Sequence, residues 1–274
     1  MTHTPPPATA PVRAVRGRHG AVASPHHLAT QVGLSVLRTG GSAVDAAIAT
    51  NAALAVVGGH SCGLGGDAFW IIWDEASQQA VTLNGSGRAG SAATIDAAHA
   101  AGYHTMPERG PWSVTVPGAV HSWGEAHRRF GRLDWASLLT PAIDLASGFP
   151  ASAGWLEAVE RSAAVLGGSG DWASVYRPHD RARAPGQIVR LPALEQTLRA
   201  LSTEGPSSLY SGTVAGSIAT YLGTRGAPVS TGDLAAHSSA WGSPLAIDYR
   251  GVTSLSHPPN SVGIVALQTL GLLS

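Results

Sequence analysis

Residues 38–74 read "RTGGSAVDAAIATNAALAVVGGHSCGLGGDAFWIIWD", an alanine-rich run with little charge and paired glycines near both ends. Ser42 suits a helix N-cap, and Asp45 in the first turn is favoured by the positive end of the helix dipole. The pattern therefore predicts a helix from Ser42 through Val57. Because small side chains lie on nearly every face and allow close backbone approach, we expect this helix to be fully buried.

A glycine-rich turn and an apolar strand follow the helix. Gly63, Gly65 and Gly66 provide the backbone freedom for a turn, which leaves N–H groups able to point at a ligand or another chain. The short apolar run at residues 69–73 (FWIIW) predicts a buried strand, with residues 80–83 as its hairpin partner.

Periodicity and capping signals predict the remaining elements. We expect strands over residues 20–24 and a strand pair within 247–256 around Gly251, and helices over 26–39, 117–130, 135–147, 191–202, 211–222, 230–236 and 264–273. The last helix is apolar, so we expect it to be buried. It has no polar tail and ends one residue before the chain does, which predicts a fold that continues beyond it.

Composition excludes several function classes. The 274 residues include 17 basic and 17 acidic side chains, so bulk charge favours neither nucleic acid nor an anionic membrane as a partner. The single cysteine, Cys62, excludes an intrachain disulfide and a cysteine-based zinc cluster. Residues 1–16 form a polar, proline-rich arm that we expect to be disordered; they lack the apolar core of a signal peptide. We therefore expect a cytoplasmic protein with no membrane-spanning segment.

Two motifs invite chemical interpretations that their context does not favour. The sequence GLGGDA, residues 63–68, resembles a phosphate loop but lacks a GK[ST] ending and precedes a strand, so tight backbone packing is the favoured interpretation. His60, Ser61 and Cys62 are consecutive, and consecutive side chains diverge; a loop with a small buried thiol is favoured over a nucleophile with its base.

The twelve histidines are scattered and form no H-E-x-x-H motif, so we expect no bound metal. Asp67, Glu75 and Glu125 are candidate acids or bases that sequence spacing does not pair.

Arg88 is the strongest candidate for a substrate-binding residue. It lies in NGSGRAG, residues 84–90, a glycine-rich turn after a predicted strand, where a guanidinium can hold a carboxylate through two hydrogen bonds. The alternative is an ordinary surface arginine. In the HPPNSVG loop, residues 257–263, Asn260 and Ser261 either offer hydrogen bonds or only turn the chain.

Several collinear motifs resemble the large subunit of the gamma-glutamyltransferases, and the resemblance extends over residues 17–274. They are GAVASPHHLATQVGLSVLRTGGSAVDAAIATNAALAVV (20–57), SCGLGGDAFWIIWD (61–74), PGAVHSWGEAHRRFG (117–131), WASLLTPAIDLASGFP (135–150), GPSSLYSGTVAGSIATYL (205–222), STGDLAAH (230–237) and PLAIDYRGVTSLSHPPNSVGIVALQTLGLL (244–273).

The resemblance implies an α+β fold, the four-layer αββα sandwich of N-terminal nucleophile hydrolases. It implies a precursor that cleaves itself into two subunits, of which the small one begins with a nucleophilic threonine whose α-amino group is the base. The implied substrate is a γ-glutamyl amide such as glutathione, or another small-molecule amide. The acyl-enzyme is resolved by water or an amine, and no metal or organic cofactor is implied.

In this family, residues 17–274 correspond to a large-subunit portion, truncated at its C-terminus and rich in helices. The threonine and the small subunit lie outside the chain, so we expect an incomplete sandwich with no catalytic residue of its own and no activity alone. The partner is then a small subunit, from the same precursor or a separate chain. An alternative is a non-catalytic remnant, or a binding or scaffold half.

Departures from the family pattern bear on the substrate. The family's carboxylate-binding arginine aligns with Ser86, whereas the available arginine here is Arg88, so both are candidate substrate-binding residues. This NGSGRA form resembles a divergent branch that includes amidohydrolases acting on non-glutamyl amides such as oxamate. Asp67 also interrupts the family's glycine turn, and Val262 separates Ser261 from Gly263.

Overall fold

The computed structural model describes residues 14–166, 170–178 and 183–274; most of the predicted N-terminal arm lies outside them. Within these ranges the chain forms eleven α-helices and seven strands. The helices are α1 His27–Arg38, α2 Ala43–Val57, α3 Ile95–Ala100, α4 Ala119–Phe130, α5 Trp135–Ser147, α6 Ala153–Leu166, α7 Gly170–Tyr176, α8 Pro192–Glu204, α9 Thr213–Gly223, α10 Thr231–Ala235 and α11 Gly263–Leu272. The strands are β1 Ala68–Asp74, β2 Gln79–Gly85, β3 Phe149–Pro150, β4 Ile188–Val189, β5 Ala240–Gly242, β6 Leu245–Tyr249 and β7 Val252–Ser256.

Helix α2 is the centre of the helical layer. It packs against α1, α4 and α5, and α5 packs in turn against α8. Twelve of its fifteen residues are buried, and eight of the twelve are alanine or valine, whose small side chains let neighbouring elements approach closely. The helix and its burial are confirmed, although Ala43 and Ala47 are exposed, so the helix is not buried on every face.

Asp45 fixes the start of α2 and joins it to a distant loop. Its carboxylate accepts from the Ser42 backbone N–H at 2.8 Å, while the Ser42 hydroxyl accepts from the Asp45 N–H at 3.0 Å, which completes a capping box. The same carboxylate accepts from the N–H groups of Arg132 at 2.9 Å and Leu133 at 3.2 Å, in the connection between α4 and α5. Asp45 is fully buried, and the three bonds that its carboxylate accepts all end on Oδ2, so they offset part of the cost of removing the carboxylate from water.

The main sheet has the strand order β1-β2-β5, and the predicted hairpin is confirmed with Ala68 opposite Gly85. The expected burial of β1 is wrong for one of its faces. Phe69, Ile71 and Trp73 are 41%, 46% and 56% exposed, whereas Trp70 points toward the helices and donates to the Ser122 hydroxyl at 2.9 Å. Successive side chains alternate between the two faces of a strand, and only one face of β1 is covered within the described chain.

Two other expectations need correction. The strand predicted at residues 20–24 does not form, because no strand of the described residues lies alongside it to complete a hydrogen-bond ladder. The C-terminal helix forms as α11 and packs on β6 and β7, but among its residues only Leu267 is buried. Its apolar character therefore does not correspond to burial in this chain.

The other predicted helices and the β6–β7 hairpin are confirmed within a few residues, although α4 begins at Ala119, after Pro117. Elements with weak or short patterns were not predicted: α3, α6, α7, β3, β4 and β5. Within the described residues, no helix combines the length and the apolar character needed to cross a bilayer.

Candidate functional site

A turn at the end of β2 carries both predicted substrate-binding residues, Ser86 and Arg88. The Gly87 N–H donates to the Asp67 carboxylate at 3.0 Å, and the Arg88 carbonyl accepts from the Val116 N–H at 2.9 Å. Segments before β1 and before α4 therefore hold the turn on two sides. Arg88 lies three residues beyond the end of β2, where the sequence placed it.

Close backbone approach explains the glycines around this turn. A Cβ atom at Gly87 would lie 1.5 Å from the Val116 carbonyl oxygen, and one at Gly118 would lie 2.2 Å from that of Gly85. Only glycine permits both contacts. The preceding glycine turn supports the same junction, since the Gly66 carbonyl accepts from the N–H groups of Gly118 at 3.1 Å and Ala119 at 2.9 Å. This turn thus presents a carbonyl oxygen to α4, in agreement with the packing interpretation of GLGGDA.

Ser86 belongs to a hydrogen-bonded ring with two asparagines. The Ser86 hydroxyl donates to Asn84 Oδ1 at 2.7 Å, Asn84 Nδ2 donates to Asn260 Oδ1 at 2.9 Å, and Asn260 Nδ2 donates back to the Ser86 oxygen at 3.0 Å. Asn84 Oδ1 also accepts from the Ser86 N–H at 2.9 Å. Of the two alternatives for the HPPNSVG loop, hydrogen bonding applies to Asn260. Ser261 turns the chain, because its hydroxyl donates to the His257 carbonyl at 3.0 Å.

The Arg88 side chain is exposed, and within the described parts of the chain its guanidinium forms no hydrogen bond or ion pair. An uncommitted guanidinium can bind a planar carboxylate in a bidentate manner. Arg88 can therefore recognise an anion, and the same turn carries the neutral hydroxyl of Ser86.

A cluster of aromatic rings lies near the charges of Arg88 and Asp67. The His237 ring stacks on Tyr210 with centroids 5.2 Å apart and meets His121 edge-on at 5.1 Å. Burial is the largest cause that lowers the pKa of His237, to about 4, and the neighbouring His121 and Arg88 lower it further. The Asp67 charge opposes this shift. His237 is therefore neutral at pH 7 and adds no second positive charge beside Arg88.

The remaining candidates do not join this site. Burial raises the pKa of the Cys62 thiol, which is the opposite of the activation that a nucleophilic cysteine needs. In the ranges that the structure describes, no three His, Cys, Asp or Glu side chains converge as a possible metal site.

Sequence reasoning missed Asn84 and His237, and it named Asp67 as a candidate acid or base without placing it against the Arg88 turn. Asn84 and Asn260 are 176 residues apart, so no local spacing could pair them. The available signals were the motifs themselves, since NGSGRAG contains Asn84, Ser86 and Arg88, while STGDLAAH contains His237 and HPPNSVG contains Asn260.

Comparison with known proteins relates most of the chain to a single protein family. A family model described as Gamma-glutamyltranspeptidase matches residues 29–274. The glutathione hydrolase-like YwrD proenzyme of Bacillus subtilis is 38% identical over 263 residues, 95% of this chain and 50% of that protein. The oxamate amidohydrolase proenzyme of Klebsiella pneumoniae is also 38% identical, over 93% of this chain and 49% of its own length. The chain thus spans about half the length of these relatives.

Solved structures support the same relationship. The gamma-glutamyltranspeptidase of Helicobacter pylori superposes with a TM-score of 0.87 at 27% identity, covering 95% of this chain and 76% of that one. The cephalosporin acylase of Bacillus halodurans gives a TM-score of 0.85 at 33% identity, covering 98% of this chain and 52% of that one. The α+β fold class expected from the sequence, a large-subunit portion of the N-terminal nucleophile hydrolase sandwich, is confirmed.

Proposed function

The chain belongs to the gamma-glutamyltranspeptidase family, and we propose that it supplies the substrate-carboxylate site of an amide hydrolase or transferase. The observation that carries the proposal is the free, exposed guanidinium of Arg88 on a turn held by Asp67, Val116 and the Asn84–Ser86–Asn260 ring. In this proposal Arg88 binds the carboxylate of the substrate. The Ser86 hydroxyl, two residues earlier in the same turn, contributes a neutral hydrogen bond to the substrate.

The reacting group is proposed to come from a partner. A small subunit whose first residue is threonine supplies the hydroxyl that attacks the substrate carbonyl, with the threonine's own amino group as base. The amine leaves, and water or a second amine releases the acyl group. Proenzyme names among relatives of about twice this chain's span support a processed two-subunit enzyme. We further propose a cytoplasmic location.

Two substrate classes remain in the proposal, because the relatives named for glutathione hydrolysis and for oxamate hydrolysis are equally similar at 38% identity. A γ-glutamyl amide has its carboxylate several bonds away from the scissile amide, whereas in oxamate the two groups are adjacent. The placement of the arginine at position 88, where the family pattern has it two residues earlier, supports testing oxamate alongside glutamyl compounds.

Carboxylate recognition is tested by calorimetric titration of the purified chain with L-glutamate and, separately, with oxamate. We expect Arg88→Ala to raise the Kd of the bound ligand more than tenfold, which corresponds to about 1.4 kcal/mol or more for a charge-assisted contact. Arg38→Ala, which removes an exposed arginine at the end of α1, is the matched control and is expected to leave the Kd unchanged. Equal affinity of the Arg88→Ala and wild-type chains would remove Arg88 from the site.

The need for a partner has a separate test. The purified chain is expected to release no p-nitroaniline from γ-glutamyl-p-nitroanilide above the uncatalysed rate, because the proposed nucleophile is elsewhere. Turnover at enzymatic rates by the chain alone would contradict this part of the proposal. A chain that binds neither ligand but forms a stable complex with a protein partner would favour the binding-half alternative.

A further inference from the structure

Asn260 lies in the loop between β7 and α11, far along the chain from the Arg88 turn that it contacts. Its side chain spans two residues of that turn's base, with the Oδ1 atom accepting from Asn84 at 2.9 Å and the Nδ2 group donating to Ser86 at 3.0 Å. The ring closes when the Ser86 hydroxyl donates to Asn84 Oδ1 at 2.7 Å. All three bonds run in one direction, so each donor has an acceptor and no proton is used twice.

The ring of Asn84, Ser86 and Asn260 holds the start of the turn, whereas the contacts of Asp67 and Val116 hold its middle. Asp67 and Val116 hold Gly87 and the Arg88 backbone through the N–H and C=O groups at 3.0 and 2.9 Å. Among the described residues, neither of them forms a hydrogen bond with Ser86. Without Asn260, the Ser86 hydroxyl keeps its bond to Asn84 but loses its donor, and the hydroxyl and the turn around it gain rotational freedom.

We propose that Asn260 is a positioning residue, which orients Ser86 and, through the turn, Arg88 for carboxylate binding. The inference rests on the proposed function, because it assumes that Arg88 binds a carboxylate. Asn260 itself does not need to touch the substrate. If the site is ordered before the ligand arrives, less conformational entropy is lost on binding. An asparagine that does not touch the ligand can raise the affinity in this way.

The experiment measures carboxylate affinity in Asn260→Ala and Asn260→Asp, again by titration of the purified chain with L-glutamate and with oxamate. Asn260→Asp keeps an acceptor for Asn84 but loses the donor to Ser86. We expect Kd to rise about three- to tenfold in the alanine variant, the range for one neutral hydrogen bond, and at least as much in the aspartate variant. Val262→Ala, in the same loop at a residue 82% exposed, is the control and leaves Kd unchanged.

A double-mutant cycle separates positioning from simple loop loosening. If Asn260 acts through Ser86, the effect of Asn260→Ala on Kd disappears in a Ser86→Ala background, because the bond is already lost. The melting temperature is expected to stay within a degree or two of wild type, since Asn260 is exposed. A general loss of loop structure would lower the melting temperature and leave the two substitutions additive.

The failures are distinguishable. Arg88-dependent binding that is unaffected by Asn260→Ala overturns the positioning role and leaves the proposed function standing. Additive effects of Asn260→Ala and Ser86→Ala on Kd also overturn it. Binding that does not depend on Arg88 overturns the proposed function, and the positioning role with it.

Discussion

Replacing Gly87 by alanine tests whether the site turn needs its close backbone approach. The added Cβ would lie 1.5 Å from the Val116 carbonyl oxygen, whereas real Cβ atoms stay beyond 3.0 Å. The two segments must therefore separate by about 1.5 Å or rotate away from each other. Because the obstructing atom belongs to the backbone, no change of side-chain rotamer can relieve the contact.

Separation on this scale breaks two hydrogen bonds, from Gly87 N–H to Asp67 at 3.0 Å and from Val116 N–H to Arg88 at 2.9 Å. At about 1 kcal/mol for each bond and ~1–3 kcal/mol for overpacking, we expect the free energy of unfolding to fall by about 3–5 kcal/mol. The turn that carries Arg88 shifts as well, so L-glutamate and oxamate affinity is expected to fall with stability.

The assay is equilibrium unfolding in urea, with Gly63→Ala as the matched control. A Cβ at Gly63 meets no atom within 4 Å, so this variant is expected to stay within about 0.5 kcal/mol of wild type. Wild-type stability and ligand affinity in Gly87→Ala would refute the close-approach argument. Equal losses in the two variants would show that glycine at either position matters for a reason other than contact.

Two further predictions concern buried polar groups. Asp45→Ala removes the acceptor of three backbone N–H groups, and urea unfolding is expected to show the free energy of unfolding lowered by about 3–5 kcal/mol. Asp45→Asn keeps an acceptor oxygen and is expected to lose less. Equal stability of the alanine variant and wild type would contradict this. His237, with a folded pKa of about 4 against an ordinary histidine value of 6.5, is expected to make the protein less stable as pH falls from about 6.5 to 4, because the unfolded chain binds the proton first. Thermal melts should show a weaker acid dependence in His237→Phe, whereas the exposed His99→Phe should behave as wild type; an unchanged acid dependence in His237→Phe would refute the assignment.

Local sequence determined the elements whose stabilising interactions are themselves local. The capping box of Ser42 and Asp45, the small faces of α2 and the β1–β2 hairpin are all formed by neighbouring residues, so their positions were predictable. The collinear motifs also identified the family before any coordinates, because a family pattern depends on order along the chain.

Burial and the assembly of the site were decided only by tertiary structure. The exposed face of β1 and the exposed α11 have the same apolar composition as buried elements, and composition does not say which faces this chain covers. The ring of Asn84, Ser86 and Asn260 joins residues 174 and 176 positions apart. Hydrogen bonds require atoms within about 3 Å of each other, and no regularity along the sequence records which distant loops the fold brings to that distance.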